Sequence, residues 1–330
     1  MSRALRVAVV GATGALGGEV LSLLEESASE LSVESVLPLA TSRSQGESVD
    51  FRGESLAVRA EAELAGQDLL LCCAPPDASL GWVRKALHAE VPCVDASGAL
   101  ALSTDVPLCA AVLDPQCGVG APLVAAPPGA ALALALVLDP IRRAAGLARV
   151  GATLLESSAA GGRDAIAALG AESIALFNQA DPPISAGRPL AFDCHPAIGD
   201  VEEDGSTALE TRVARTLGRL FGAPVPISIA IAQIPVFVGV AAQVSLDTQT
   251  PLDPKQVREL LVAAPSVELW THDAEGPNLR AAAGRSEVLV GRLRADPTRE
   301  RGLSLWLAAD PLRLAASNAL MLAQRIVKPG

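Results

Sequence analysis

An apolar run, Leu5 to Val10, leads into Gly11-Ala12-Thr13-Gly14-Ala15-Leu16-Gly17-Gly18 and then into Glu19 to Glu26, where positions 20, 21, 23 and 24 are apolar. The continuous apolar run predicts a buried strand, and the second pattern suits one face of a helix. A strand, a glycine-rich turn and a helix in that order predict a phosphate site. Glycines let the backbone approach a pyrophosphate, and the exposed N–H groups and dipole at the helix start favour its negative charge. A tight strand-to-helix turn without a ligand is the plainer reading of the same residues.

Alternation of strand and helix patterns continues over about the first 120 residues. Val33 to Leu39 predicts a second strand, ending in Ala40-Thr41-Ser42-Arg43-Ser44-Gln45-Gly46. Asp68 to Cys73 predicts a buried strand, followed by Ala74-Pro75-Pro76 and a helix near Leu80 to Ala89. Val91 to Val94 predicts a short strand ending in Asp95-Ala96-Ser97-Gly98. This order predicts an α/β fold whose N-terminal part is a Rossmann-type, doubly wound, mostly parallel sheet with ligand loops at the strands' carboxyl ends. A site for NAD usually carries an acidic residue at the tip of the second strand, where Ser42, Arg43 and Ser44 stand here. An arginine flanked by two hydroxyls suits a 2′-phosphate, so NADP is favoured over NAD; an exposed polar loop is the alternative.

The pattern changes near Ala125. Ala130 to Leu138 alternates Ala and Leu with the period of a strand, but both are strong helix formers and Pro-Gly precedes them, so a buried helix is predicted. Val150 to Glu156 predicts a strand, and Arg163 to Gln179 and Leu209 to Leu220 predict helices. Ile227 to Ile231, Val236 to Leu246, Ser286 to Arg294 and Leu303 to Leu307 predict strands, and Pro311 to Val327 a closing helix. The second region therefore reads as an α+β domain.

Composition narrows the function classes. The 330 residues allow two cores; 50% are apolar, 19% charged and only 2% aromatic, with no Tyr, so Ala, Leu and Val must fill the interior. A net charge of −11 argues against a nucleic-acid surface. The N-terminus enters a strand directly, without the pattern of a signal peptide. The longest apolar region, Pro226 to Leu246, is interrupted by Gln233, Pro235 and Gly239 and reads as strands rather than a membrane span. A cytoplasmic protein is expected. The six cysteines, at 72, 73, 93, 109, 117 and 194, show no CxxC pair and no zinc spacing, so reduced packed thiols and no metal site are expected. His88 lies on a surface-like helix and His272 beside Asp273 in a polar loop. Cys194 and His195 are adjacent in sequence and point to opposite faces of an extended stretch.

Separated stretches in one order carry a resemblance over nearly the whole chain. They are Gly11 to Gly17, Ser42-Arg43-Ser44, Asp105-Val106-Pro107-Leu108, Ile234-Pro235-Val236-Phe237-Val238-Gly239, Gly284 to Arg292, Leu303-Ser304-Leu305-Trp306, and Asp310-Pro311-Leu312-Arg313 onward to Asn318. In these the chain resembles the aspartate-semialdehyde dehydrogenase family. The resemblance implies a dinucleotide-binding domain at 1–125, completed by the C-terminal helix at 311–330, and a catalytic and dimerisation-type domain at 126–310. It also implies a homodimer. The residues it assigns to NADP are Gly11, Thr13, Gly14, Ala15, Leu16, Gly17, Ser42, Arg43 and Ser44. Family enzymes reduce an acyl phosphate through a thioacyl intermediate on a cysteine.

That chemistry needs a thiolate, a base and cations for the phosphate and carboxylate. The resemblance places none of them here. The cysteine position of Asn-Pro-Asn-Cys is Gly129 in Ala126-Pro127-Pro128-Gly129. The histidine that follows Pro-Val-Phe-Val-Gly is Val240, the carboxylate-binding arginine is Gln233, and the phosphate-binding arginine is Ala101. The glutamine before Ser158-Ala159-Ala160-Gly161 is Leu155, and the Gly-Gly that lies against the cofactor is Pro75-Pro76, which lacks both backbone donors. No catalytic residue is assigned. The pattern resembles Usg-type paralogues of the enzyme. Three readings follow: a nucleotide-binding or regulatory subunit, as a homodimer or with an active paralogue; an NADP-dependent oxidoreductase of altered chemistry acting on another small aldehyde or acid; or an interaction protein in which the glycine turn is a relic.

Overall fold

Six apolar residues make Leu5–Val10 strand β1, and the glycine turn after it opens helix α1 (Ala15–Glu26). β2 is Val33–Leu39, β3 Ser48–Phe51, β4 Glu54–Ala57 and β5 Leu69–Cys72; α2 is Pro76–His88, β6 Cys93–Asp95 and β7 Leu123–Ala125. In the computed structural model, which describes residues 4–26, 31–183, 188–222, 224–271 and 276–327, these elements belong to one of two compact units. That unit is Met1–Gly129 with Leu312–Gly330. Its parallel sheet has the order β2-β1-β5-β6-β7, with β3 and β4 as a separate hairpin.

Alternation along the parallel strands sends side chains to two cores. Val7, Val9, Leu69 and Leu71 face Val20, Leu21 and Leu24 of α1. Ala8, Val10, Leu70 and Cys72 face Trp82, Val83 and Ala86 of α2 on the other side. The expected helix near Leu80 starts earlier, at Pro76. Proline is favoured in a first helical turn because its missing N–H would be unpaired there anyway.

The second unit, Ala130–Pro311, follows from helix α3 (Gly129–Ala145), buried along almost its whole length. β8 (Leu147–Glu156), α4 (Gly162–Phe177), α5 (Ala208–Phe221), β9 (Ile227–Gln233), β10 (Val240–Thr248), α6 (Pro254–Ala263), β11 (Val267–Leu269), α7 (Leu279–Ala282), β12 (Val288–Ala295) and β13 (Gly302–Ala309) complete it. The mixed sheet runs β11-β12-β13-β10-β8-β9. The strand expected from Val236 begins at Val240 instead, because the chain bends at Gly239, whose φ is +113°. Thr207 and Glu210 form a reciprocal cap on α5, and Glu210 also accepts a bond of 2.8 Å from the Ile231 amide, which fixes the helix to β9.

Helix α8 (Pro311–Val327) returns to the first unit and places Ala316, Ala319, Leu320 and Ala323 in the same core as α1. Arg313 binds Glu19 at 2.7 Å and also Glu26, whose carboxyl is held below its ordinary range by that arginine's hydrogen bond. Asn318 accepts from the Ala111 amide at 2.7 Å and donates to the Cys109 carbonyl at 3.1 Å.

One expectation about the thiols is overturned. Cys109 and Cys117 form a disulfide, while Cys72, Cys73 and Cys93 are buried thiols and Cys194 is exposed. The chain turns back within Ala110 to Asp114, where the Asp114 amide reaches the Ala110 carbonyl at 3.1 Å. That brings the two Cα atoms to 5.5 Å, within the range a disulfide spans. Spacing alone could not reveal this turn. His88 is exposed at the end of α2, and His272 and Asp273 lie outside the described residues.

Candidate functional site

The crossover that puts β2 and β5 on opposite sides of β1 makes the carboxyl end of β1 a topological switch point, where open parallel sheets bind ligands. Gly11 stands there with φ +79°, its amide donating to the Leu39 carbonyl at 2.7 Å. A Cβ on Gly11 would lie 2.6 Å from the Ala74 backbone nitrogen, and one on Gly17 would lie 2.0 Å from the Gly11 carbonyl oxygen. Only glycine lets the turn and the helix start pack this closely. The amides of Ala15, Leu16 and Gly17 open α1 with no backbone acceptor, as at any helix N-terminus, and are free to face an anion.

The two halves predicted to hold the nucleotide meet. Ser42–Ser44 is a single helical turn beyond β2, and the Ser44 hydroxyl lies 3.1 Å from that of Thr13 in the glycine turn. Arg43 is exposed with no acidic partner among the described residues, so its guanidinium is available to an added phosphate. Pro75 and Pro76 use their fixed geometry to start α2, and Ser79 donates to the Ala74 carbonyl at 3.0 Å beneath them.

Ala101 is buried and offers no side-chain donor. Asp95 is fully buried at the end of β6, where burial raises its carboxyl above the ordinary range against the opposing bonds from Ser97 and the Leu100 amide. Gly129 is the first residue of α3 and contributes no side chain. Cys72 and Cys73 are poor nucleophile candidates, since both thiols are pushed well above their ordinary range. The hydrogen bond to Cys93 leads at Cys72, and burial leads at Cys73.

In the second unit, strand register decides which side chains share a face. Glu156 at the end of β8 pairs with Val240 on one side and Gln233 on the other. Gln233 in turn exchanges backbone hydrogen bonds with His195, at 2.9 and 2.8 Å. One row therefore runs His195, Gln233, Glu156, Val240, and Leu155 falls outside it on the opposite face. Glu156 is the residue that sequence reading missed. It is 6% exposed, and no donor or cation among the described residues reaches its carboxyl. Burial alone pushes its pKa up to about 7. The signal was present in the sequence as a charged residue closing an apolar strand, but one position of register separates it from the residue singled out.

Two family models match this chain: "Semialdehyde dehydrogenase, NAD binding domain" over residues 6–117 and "Semialdehyde dehydrogenase, dimerisation domain" over residues 138–314. The chain belongs to the semialdehyde dehydrogenase family. Among curated relatives, aspartate-semialdehyde dehydrogenase 2 of Vibrio cholerae is 29% identical, covering 99% of both chains. A USG-1 protein homolog of Azotobacter vinelandii is 32% identical over the full length of both. The crystal structure of Vibrio cholerae aspartate semialdehyde dehydrogenase II, in complex with ASA, superposes with a TM-score of 0.90 at 28% identity and 99% coverage of each chain. The fold is thus that of the family throughout, with an NAD-binding domain and a dimerisation domain.

Among the described residues no three or more His, Cys, Asp or Glu side chains are grouped as metal ligands, and no helix is long and apolar enough to cross a membrane.

Proposed function

We propose that this family member binds an NADP-type dinucleotide through its first unit and does not carry out the family's thiol-dependent reduction of an acyl phosphate. The observation that carries the reading is Gly129. The position that the resemblance gives to the nucleophile has no side chain, at the first residue of α3. Without a thiolate no thioacyl intermediate forms, and only residual binding effects remain. Of the other thiols, Cys109 and Cys117 are bonded to each other and Cys72, Cys73 and Cys93 are buried, while Cys194 is exposed beside His195, whose Nε2 is engaged with the Pro189 carbonyl at 3.0 Å.

Retention of the nucleotide end is supported by the glycine contacts at Gly11 and Gly17, the Thr13–Ser44 link and the unpaired Arg43. Gly11, Thr13, Gly14, Ala15, Leu16 and Gly17 would surround the pyrophosphate, and Ser42, Arg43 and Ser44 the 2′-phosphate. The bound nucleotide would supply hydride chemistry. The assembly is a homodimer through the second unit, which the dimerisation-domain match supports. A heterodimer with an active paralogue uses the same surface.

Pure protein with aspartate semialdehyde, phosphate and NADP should give no reduced cofactor above the blank, while calorimetry with NADP alone should give saturable binding. Turnover approaching that of an active family enzyme would overturn the first half, and absence of NADP binding at millimolar concentration the second. A second reading, an oxidoreductase of altered chemistry, is favoured by Glu156, since a carboxyl with a pKa of about 7 is suited to general acid–base work.

A further inference from the structure

The row at the end of the second unit's sheet has its own electrostatic character. Where the resemblance expects a histidine and an arginine, the row carries Val240 and Gln233, and its buried ionisable group is an acid, Glu156. A carboxylate this deeply buried without a donor is costly, because burial strips its water and nothing replaces it. The adjacent side chains offer only partial relief. Val240 is apolar and 1% exposed, and Gln233 is half-buried with no side-chain partner among the described residues.

A nine-tenths-buried carboxyl whose shift has no cause but burial, beside the half-buried Gln233 in the same row, marks a place suited to a ligand rather than to packing. An anion is disfavoured there, since it would meet a carboxylate with no cation in β8, β9 or β10 at this end to offset it. A protonated amine would find in Glu156 a counter-ion and in the Gln233 carbonyl a second acceptor.

We infer that the Glu156 end of this sheet is a binding site for a small organic amine, with the Glu156 carboxylate as counter-ion and Gln233 as a second hydrogen-bonding group. This rests on the reading that the sheet end is the family's substrate end stripped of its cations. It does not depend on NADP binding in the first unit, which is measured separately.

Two buried acids of the surrounding helices are engaged with backbone amides, Glu210 of α5 with that of Ile231 in β9 and Glu172 of α4 with those of Leu190 and Ala191. Neither β9 nor the connection Ile234 to Gly239 contains any ionisable group, and that of β10, Asp247, lies at the far end of its strand. His195 stands beyond Gln233 in the row, with its Nε2 3.0 Å from the Pro189 carbonyl. Arg163 and Asp164 open α4, and Asp310 follows β13. None of them contributes to the shift at Glu156, whose cause is burial. Amine binding should therefore release a proton from this carboxyl.

The test is calorimetric titration of the intact protein with ethylamine, 1,4-diaminobutane and ethanolamine, with succinate and inorganic phosphate as anionic probes. Ionised Glu156 rises about thirtyfold between pH 5.5 and pH 8 for a group titrating near 7. At least one amine should bind at least tenfold more tightly at pH 8 than at pH 5.5, with close to one proton released on binding at pH 5.5 and little at pH 8, and the anions should bind more weakly than it does. Glu156→Gln, which preserves shape, should remove both the affinity and its pH dependence, whereas Glu156→Asp should retain the pH dependence. Failure of every amine to bind, tighter binding of succinate or phosphate, or a wild-type affinity indifferent to pH would overturn the inference. The wild-type pH comparison stands even where a variant fails to fold. Loss of amine binding with NADP binding intact would leave the nucleotide reading untouched, and the reverse result would separate them equally.

Discussion

Glu156→Gln should stabilise the protein at pH 8 and leave it nearly unchanged at pH 4.5. The Glu156 carboxyl titrates at about 7 in the folded protein against an ordinary value of 4.5, and burial is the cause. At about 1.4 kcal/mol per pKa unit, that difference is worth about 3 kcal/mol. The direction follows from proton counting. Between pH 4.5 and about 7 the folded chain holds a proton that the unfolded chain has released, so stability falls as pH rises. The favourable state is fully present below 4.5 and is lost by the time pH passes about 7. Glutamine carries no charge at any pH, so the variant escapes the loss. Urea unfolding followed by tryptophan fluorescence suits the measurement, because Trp270 and Trp306 both lie in the second unit. Subtracting wild type from variant at each pH cancels the titration of the remaining acids. The gap should open from near zero at pH 4.5 to about 3 kcal/mol at pH 8. A gap that stays constant across this range would refute the buried, unpaired carboxyl.

Other consequences can be measured separately. Gly17→Ala puts a methyl 2.0 Å from the Gly11 carbonyl oxygen, which forces the turn apart; a loss of about 3 kcal/mol or more in unfolding free energy is expected, with loss of NADP binding. Arg43→Ala should weaken NADP by about tenfold or more in calorimetry and leave NAD unchanged, since only the 2′-phosphate gains a charge-assisted bond there; equal losses for both nucleotides would contradict this role. The Cys109–Cys117 disulfide closes a short loop of sequence separation 8, so its reduction should cost about 2–3 kcal/mol. Thiol titration of the denatured, unreduced protein should count four free cysteines, and a count of six would show that the bond is absent. On α4, Ile174 and Phe177 are 64% and 78% exposed, and Phe177 meets Phe192 edge-on at 5.5 Å. Ile174→Asp with Phe177→Asp should shift the homodimer we propose toward monomer in sedimentation; an unchanged dimer would place the interface elsewhere.

What the sequence made legible were the features that rest on local signals. β1, the glycine turn and α1 followed from an apolar run, steric need and amphipathic spacing, and α8 from a proline start and a long apolar stripe. The Ser42 to Ser44 tip was legible because a short turn after a strand must project at its carboxyl end. Elements of three or four residues, such as β7, β11 and α7, have too few residues to show a period and are held by their neighbours in the fold. The disulfide was hidden because it depends on a turn at Ala110 to Asp114, which no cysteine spacing encodes.

Glu156 was hidden for a different reason. Motif reading aligns Ser158 to Gly161 and asks which residue precedes them, but a strand's face is set by pairing and reverses with every residue. Pairing with Gln233 and Val240 puts Glu156 in the row and Leu155 on the other face. Seen by motif, Leu155, Gln233 and Val240 leave the positions that the resemblance assigns in the second unit without a reactive or ionic side chain. By register, the same strand end carries a buried acid, Glu156. A site that merely decayed would be expected to fill with small or apolar residues, as at Ala101 and Val240, because these carry no desolvation cost. A buried carboxyl that costs the fold stability as pH rises from 4.5 to about 7 suits the amine binding we propose, since its ionised form gains a counter-ion there.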